Sequence, residues 1–333
     1  MTDSVVPFSR DAVRAEAGQH FSVDGRPYIL MGGISDGAIG VVRKARDQVT
    51  QRVVAVKFLA PEFRYIEQSS FADIRERFRR EGQKGTWLDQ DNLVEIISYE
   101  ENADGAAFPN EGFPINPFIV MEYIPGKTLE SFIKAQIKEK GQGSINVNRT
   151  TLKIAASVND ALIYLHRRSC VHRDVKPGNI FLSSEARRGD DGQVKLGDFG
   201  VVKWNDFLAS INTGQLTTSG QIGLGTLKYM SPEQVTKPKD VLIASDMYSM
   251  GATLFELFTN LFFSNNLEFF LITMARTQRG NTLSRLYDTN VGLIPLEFEP
   301  LFELILDMLA LGPTSRPTST RTKWGLSRAM EMV

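Results

Sequence analysis

The spacing of apolar residues changes period near residue 125, and this change constrains the fold more than any other feature of the chain. Upstream, Tyr28 to Met31, Val41 to Ala45 and Val53 to Leu59 are short β-branched or apolar runs joined by Gly, Asp and Gln, which predicts an antiparallel sheet. One helix interrupts them. Ser70 is placed to cap it, and Phe71, Ile74 and Phe78 recur at i, i+3 and i+7, so one stripe can be buried. Two more strand-like runs, Leu93 to Tyr99 and Phe118 to Tyr123, flank a loop from Asn102 to Pro117 whose Pro and Gly content puts it on the surface. Beyond Pro125-Gly126 the period becomes helical. Thr128 can cap a helix carrying Leu129, Phe132, Ile133 and Ile137. A second helix, from about Thr150 to His166, places Leu152, Ala155, Val158, Ala161, Leu162 and Leu165 on its inner side. The expected fold class is α+β: a small antiparallel sheet lobe with one helix, then a larger, mainly α-helical lobe. The crevice between such lobes is the default ligand site.

Composition narrows the partners. The chain has 333 residues with 38 basic against 39 acidic side chains, a net charge of −1, so no nucleic acid and no membrane surface is expected as partner. A single cysteine, Cys170, excludes an intramolecular disulfide and makes a reducing, cytoplasmic setting the default. The first residues lack the basic start and apolar stretch of a signal peptide. The richest apolar stretch, Met247 to Phe263, is broken by Glu256 and Asn260 and falls short of the ~20 residues of a membrane span. His20, His166 and Cys170 have no zinc-ligand spacing.

Four segments carry chemistry. Ile34 to Val42 places Gly37 and Gly40 between two strand-like runs; taken alone it is a glycine-containing hairpin, or a loop whose N–H groups approach a phosphate chain. The strand that follows disfavours a dinucleotide-binding turn, which leads into a helix. Val54-Ala55-Val56-Lys57 puts a lysine on an apolar strand, either as an outward edge charge or held toward phosphates by Glu81 of the predicted helix. His172-Arg173-Asp174-Val175-Lys176-Pro177-Gly178-Asn179 crowds an acid, a lysine and an amide into one short loop. Lys195-Leu196-Gly197-Asp198-Phe199-Gly200 follows a Gly-, Asp- and Arg-rich turn.

In this order these segments resemble the eukaryotic-type (Hanks-type) Ser/Thr protein kinases. The resemblance extends through Phe118 to Tyr123 as a hinge, Gly225 to Glu233 closing an activation segment, Asp246, and Arg316 in Ser-Arg-Pro-Thr. It implies a bilobal kinase domain over 21–333, divided into an N-lobe of 21–123 and a C-lobe of 124–333, after an extension of 1–20. It implies transfer of the γ-phosphoryl group of ATP to protein Ser or Thr hydroxyls with Mg²⁺, or Mn²⁺ in its place. Lys57, paired with Glu81, would contact the α- and β-phosphates; Asp174 would accept the hydroxyl proton, and Lys176 would neutralise the γ-phosphate. Asn179 and Asp198 would hold the metal. Ile34, Ser35, Gly37, Gly40, Val42, Ala55, Met121, Glu122, Ile124 and Phe181 would surround the nucleotide. Thr226 would seat the acceptor hydroxyl, Glu233 and Arg316 would form a buried ion pair, and Thr217, Thr218 and Ser219 lie where relatives are phosphorylated. A phosphate there could pair with Arg173, with self-association as the route to trans-autophosphorylation. The competing reading, a pseudokinase or nucleotide-binding regulatory scaffold, is disfavoured by retention of Lys57, Asp174, Asn179 and Asp198.

Two departures carry expectations of their own. Ser35 stands where the first loop glycine belongs. Gly82 and Gly85 flank Glu81 on its helix, each costing about 1 kcal/mol relative to Ala. Gly85 also lacks the apolar side chain that would meet Phe199, so this helix is expected to be mobile and the resting state inactive. Arg75, Arg77, Arg79 and Arg80 on the same helix read as a solvated face, or as a surface for an acidic partner. Cys170 and His172 read as packed structural residues.

Overall fold

A computed structural model of the chain describes residues 20–23, 25–36, 40–59, 68–101, 117–184, 192–198, 228–236, 241–261 and 294–333. These form two compact units, one from the residues up to Asp89 and from Val94–Tyr123, the other from Gln90–Leu93 and from Ile124 onward.

The first unit is a six-stranded antiparallel sheet of β1 (His20–Val23), β2 (Arg26–Asp36), β3 (Gly40–Asp47), β4 (Val53–Leu59), β5 (Ile96–Glu100) and β6 (Phe118–Glu122), ordered β1-β2-β3-β4-β6-β5. One helix, α1 (Gln68–Gly85), lies against β5. Side chains alternate across a strand, so β4 serves two faces. Val54, Val56 and Phe58 join Phe21, Tyr28, Leu30, Ala45, Phe118 and Val120 in one buried cluster, with the rings of Phe21 and Tyr28 stacked at 5.3 Å. Ala55 and Lys57 turn to the opposite face. Strand β1 was not anticipated, because its four residues hold only two apolar side chains, Phe21 and Val23, too short a run for a strand signal. Helix α1 begins at Gln68, so Ser70 sits inside its first turn and is not the cap. Leu93 does not start β5; it bridges Leu196 in the second unit.

The second unit is mainly helical: α2 (Leu129–Lys140), α3 (Arg149–Arg167), α4 (Pro232–Thr236), α5 (Ile243–Thr259), α6 (Glu299–Met308) and α7 (Ser319–Met330). A small antiparallel sheet of β7 (Gly126–Thr128), β8 (Ile180–Ser183) and β9 (Val194–Leu196) completes it. Thr128 caps α2 as expected, accepting from the Ser131 N–H. Helix α3 is capped by Asn148, which accepts from the Thr151 N–H while Thr151 accepts from the Asn148 N–H. All six inner residues expected of α3 are buried. Of the stretch from Met247 to Phe263 that composition set apart, Met247 to Thr259 lie in α5, whose residues from Ser245 to Thr259 are all buried. A helix buried on all sides belongs to a protein core, and no helix among the described residues is long and apolar enough to cross a membrane.

Candidate active site

In the first unit the strand register sets one row of backbone partners: Ser35 opposite Val42, Val42 opposite Lys57, and Lys57 opposite Ile119. A second row sets Lys44 opposite Ala55 and Ala55 opposite Met121. Residues in register on paired strands share a face, so Val42, Ala55, Lys57 and Met121 all lie on the face away from the aromatic core. Burial on that face excludes one of the two readings of Lys57. It is not an edge charge: its side chain is only 12% exposed and its Nζ donates to Glu81 Oε1 at 2.7 Å. The ring of Phe78, fully buried on α1, lies 5.9 Å from the same Nζ and excludes water beside the pair. Glu122 is anchored at the end of β6: its N–H donates to Glu95 O and its Oε1 accepts from the Glu95 N–H.

Gly82 and Gly85 have a different role from the one expected. A Cβ on Gly82 would overlap the Tyr99 ring, and one on Gly85 would overlap Ile96 Cδ1. The glycines therefore let α1 approach β5 more closely than any other residue would allow. Both glycines sit in close contact and the Lys57–Glu81 pair is formed, which runs against the premise of a loosely held helix. Gly85→Leu, which would restore the apolar side chain, is expected to lower the thermal midpoint and the activity together. Overpacking costs about 1–3 kcal/mol. Thermal denaturation alongside initial rates checks this, and a variant more active than wild type would contradict it.

In the second unit the loop from His172 to Asn179 sets two of the expected groups, Lys176 and Asn179, on the carboxylate of a third, Asp174. Lys176 Nζ donates to Asp174 Oδ2 at 2.9 Å, and Asn179 Nδ2 donates at 2.8 Å both to that oxygen and to the Asp174 carbonyl. With both amide hydrogens so committed, Asn179 presents Oδ1 as an acceptor, the donor type a hard cation takes. Asp198 is brought alongside by the sheet. Ile180 on β8 is in register with Leu196 on β9, and the Gly197 N–H donates to Asn179 O at 2.9 Å. Asp198 itself has φ +58, a backbone that L-residues seldom adopt and that costs on the order of 1 kcal/mol.

The loop's own strain is held by a residue that sequence reasoning recorded only as a motif match. Arg173 has φ +71. Asp246, fully buried in the first turn of α5, accepts from the His172 N–H at 2.8 Å and from the Arg173 N–H at 2.7 Å. It also accepts from His166 Nε2 at 3.0 Å, which fixes the tautomer and lets His166 Nδ1 accept from the Ser319 hydroxyl. The sequence signal for this was the motif position of Asp246 alone, and nothing on the amphipathic α3 marks His166 as its partner across 80 positions. His172 is buried as expected, and burial holds its pKa below the ordinary histidine value, so it stays neutral and its Nδ1 accepts from the Asp174 N–H. Cys170 is not core: it is half-buried, with Sγ 3.6 Å from Arg168 O.

The expected Glu233–Arg316 pair is present and bidentate, at 2.6 and 2.8 Å, with the guanidinium fully buried. Its other bonds go to the carbonyls of Ala244, Ala310 and Leu311. Gln234, next to Glu233, donates to Arg173 O at 3.0 Å and ties this segment to the loop of Asp174. Phe181 and Ile124 are half-buried, Phe181 in register with Thr128 and Lys195. Ile34, Ser35 and Gly40 are placed by backbone only, in β2 and β3. Gly37, Phe199, Thr217, Thr218, Ser219 and Thr226, and the loop of 102–116, lie outside the described residues.

A buried lysine–glutamate pair joining a small sheet to its helix, and an Asp-Lys-Asn loop beside a second aspartate on a helical unit, define the protein kinase class. The chain belongs to the protein kinase family: the protein kinase domain matches residues 28–324. It is 35% identical over 227 residues to a probable serine/threonine-protein kinase of Clostridium acetobutylicum, covering 68% of this chain and 29% of that protein. It is 32% identical over 233 residues to the serine/threonine-protein kinase PknA of Corynebacterium glutamicum, covering 70% and 43%, and 32% identical over 237 residues to PrkC of Bacillus subtilis, covering 71% and 31%. The chain thus spans less than half the length of these relatives. The kinase domain of Mycobacterium tuberculosis PknI has the same fold, with a TM-score of 0.61 at 20% identity over 96% of this chain and 99% of that one. Protein kinases use ATP with a divalent metal and act on protein substrates.

Proposed function

We propose that the chain transfers the γ-phosphoryl group of ATP to serine and threonine hydroxyls of protein substrates, in the cytoplasm, with Mg²⁺ as the preferred metal. The observation that carries this reading is the bonding of Asp174 to Lys176 and Asn179. Two donors fix one oxygen of the carboxylate, which orients the group to align an acceptor hydroxyl and take its proton. Lys176 lies where it can offset charge on the transferring group, and Lys57, positioned by Glu81, does the same for the other phosphates. Asn179 and Asp198 offer oxygen donors that suit a hard divalent cation, which when bound would neutralise phosphate charge. The apolar side chains of Val42, Ala55 and Met121 on one sheet face suit an adenine ring, and Glu122, Ile124 and Phe181 belong to the same nucleotide reading. We read 21–333 as the kinase domain, divided at 123/124. Phosphorylation of Thr217 and Thr218 by a second copy, read out through Arg173, and seating of the acceptor by Thr226 belong to the same reading. A pseudokinase role has no observation in its favour.

The test is transfer of radiolabel from γ-labelled ATP to a generic basic protein, followed by hydrolysis to amino acids. Label on serine and threonine that disappears on chelation of divalent metal is the expected result. Label on tyrosine alone, or none with Mg²⁺ or Mn²⁺, overturns the reading.

A further inference from the structure

Arg173 has a left-handed backbone, with φ +71, of a kind that persists only where the surroundings over-determine it. It immediately precedes Asp174, the carboxylate proposed to take the acceptor's proton. Both backbone polar groups of Arg173 are held. The N–H donates to Asp246 Oδ1 at 2.7 Å, and the carbonyl accepts from Gln234 Nε2 at 3.0 Å. Followed outward, these two bonds lead by different routes to one short segment, Arg316 to Ser319.

The carbonyl route passes along α4. Gln234 follows Glu233, whose carboxylate takes both bonds of the Arg316 guanidinium, at 2.6 and 2.8 Å. The N–H route runs through a ring. Asp246 Oδ2 accepts from His166 Nε2 at 3.0 Å, and His166 Nδ1 lies 3.2 Å from the Ser319 hydroxyl. A neutral imidazole has one donor and one acceptor. The Asp246 carboxylate takes the donor, so the opposite nitrogen requires a donor from α7, and the Ser319 hydroxyl is that group. Asp246 and Ser319 are 0% and 4% exposed, so bulk water does not replace a bond lost here.

The Ser319 hydroxyl is not spent on its own helix. Ser319 opens α7, and the cap is Thr318, whose side chain accepts from the Arg321 N–H at 3.2 Å. The Ser319 carbonyl is held too, accepting from Asn159 Nδ2 at 2.9 Å. Asn159 and His166 are seven residues apart on α3, two turns along one face, so α3 grips Ser319 by backbone and side chain together.

We propose that Ser319 is a positioning residue for phosphoryl transfer. Its hydroxyl fixes the Arg173 N–H through His166 and Asp246, while Arg316, three residues earlier, fixes the Arg173 carbonyl through Glu233 and Gln234. The start of α7 is thus a clamp on the two peptide groups flanking Arg173, and it sets the direction in which Asp174 meets the acceptor hydroxyl. Ser319 acts on Asp174 only through these groups. The proposal rests on the kinase reading, because the clamp serves turnover.

The test compares the full chain with Ser319→Ala and Thr318→Ala by steady-state rates, thermal midpoint, amide hydrogen exchange and ¹⁵N NMR of the histidine rings. The chain has 3 histidines, and the signal lost in His166→Gln identifies the ring in question. In Ser319→Ala, kcat should fall about tenfold with KM for ATP and for a serine peptide little changed. The His166 Nδ1 resonance should shift and the amides of His172 and Arg173 should exchange faster, at a thermal midpoint near wild type. Thr318→Ala removes the cap and keeps the hydroxyl of Ser319, so it should show the reverse: a lower midpoint, with kcat and the ring resonance as in wild type. Wild-type kcat in Ser319→Ala overturns the proposal, as does a loss of kcat that Thr318→Ala reproduces. An unshifted ring with unchanged exchange also overturns it, whatever the rates. Ring signals and exchange are read without turnover, so a chain that transfers no phosphate but shows both changes loses the kinase reading and keeps the clamp.

Discussion

Asp174→Asn is expected to lower phosphoryl transfer by ~10²–10⁴, the usual contribution of a positioned acid–base group, while nucleotide affinity changes little. The geometry gives the reason for the split. Asp174 is 5% exposed and is bonded by Lys176 and Asn179, so an amide of the same shape fills the site without opening a cavity. An amide cannot take the hydroxyl proton, and its NH₂ group set against Lys176 or Asn179 would lose one of the two bonds that orient the group. The effect therefore falls on turnover. Lys57→Ala should instead weaken nucleotide binding as well, because it removes the cation assigned to phosphate and strands Glu81, whose side chain is 3% exposed. Single-turnover rates with a nucleotide titration on each variant check the contrast. An Asn variant retaining more than a tenth of wild-type turnover would remove Asp174 from the chemistry.

The largest loss of stability is expected from Arg316→Ala, at about 3–5 kcal/mol, the range for breaking a buried pair by removing one partner. The guanidinium is fully buried, and its removal unpairs Glu233 together with the carbonyls of Ala244, Ala310 and Leu311. Denaturant unfolding of wild type and variant measures it, and a loss below about 1 kcal/mol would reduce the pair to the value of an exposed one. The same pair has a pH signature. Burial alone would raise the Glu233 pKa, but the bonds from Arg316 and Ser245 and the guanidinium charge bring it from 4.5 down to about 2. A carboxylate depressed in the folded state stabilises fully above its unfolded value and loses that contribution as pH falls through its folded value. Wild type should therefore lose stability between about pH 4.5 and 2 more steeply than Arg316→Ala, in which the depression is gone.

Much of this was legible from residue spacing. The β-branched, apolar run of Val53 to Leu59 gave β4 with its bounds, and the inner residues of α3 followed from helical period, because burial on one face leaves a periodic trace. The Asp174, Lys176 and Asn179 cluster was legible because its members are close in the chain. Asp246 was not, because its partners are remote and its neighbours on α5 are uniformly buried, which erases any periodic signal. The misreading of Gly82 and Gly85 has a related cause. Helix propensity is a local quantity, and what decides at these positions is the distance to Tyr99 and Ile96, which spacing cannot report.

The rows that cross the first sheet make chain length, more than residue identity, the intolerant property of β3 and β4. Val42, Ala55 and Met121 can exchange for other apolar side chains at modest cost. A deletion of one residue between Val53 and Lys57 is another matter, because it inverts every side chain beyond it. It would drive Lys57 into the cluster of Phe21, Tyr28 and Phe118 and turn Phe58 toward Glu81. The segment is thus a ruler as well as a strand: its count of residues carries information that no substitution within it can restore.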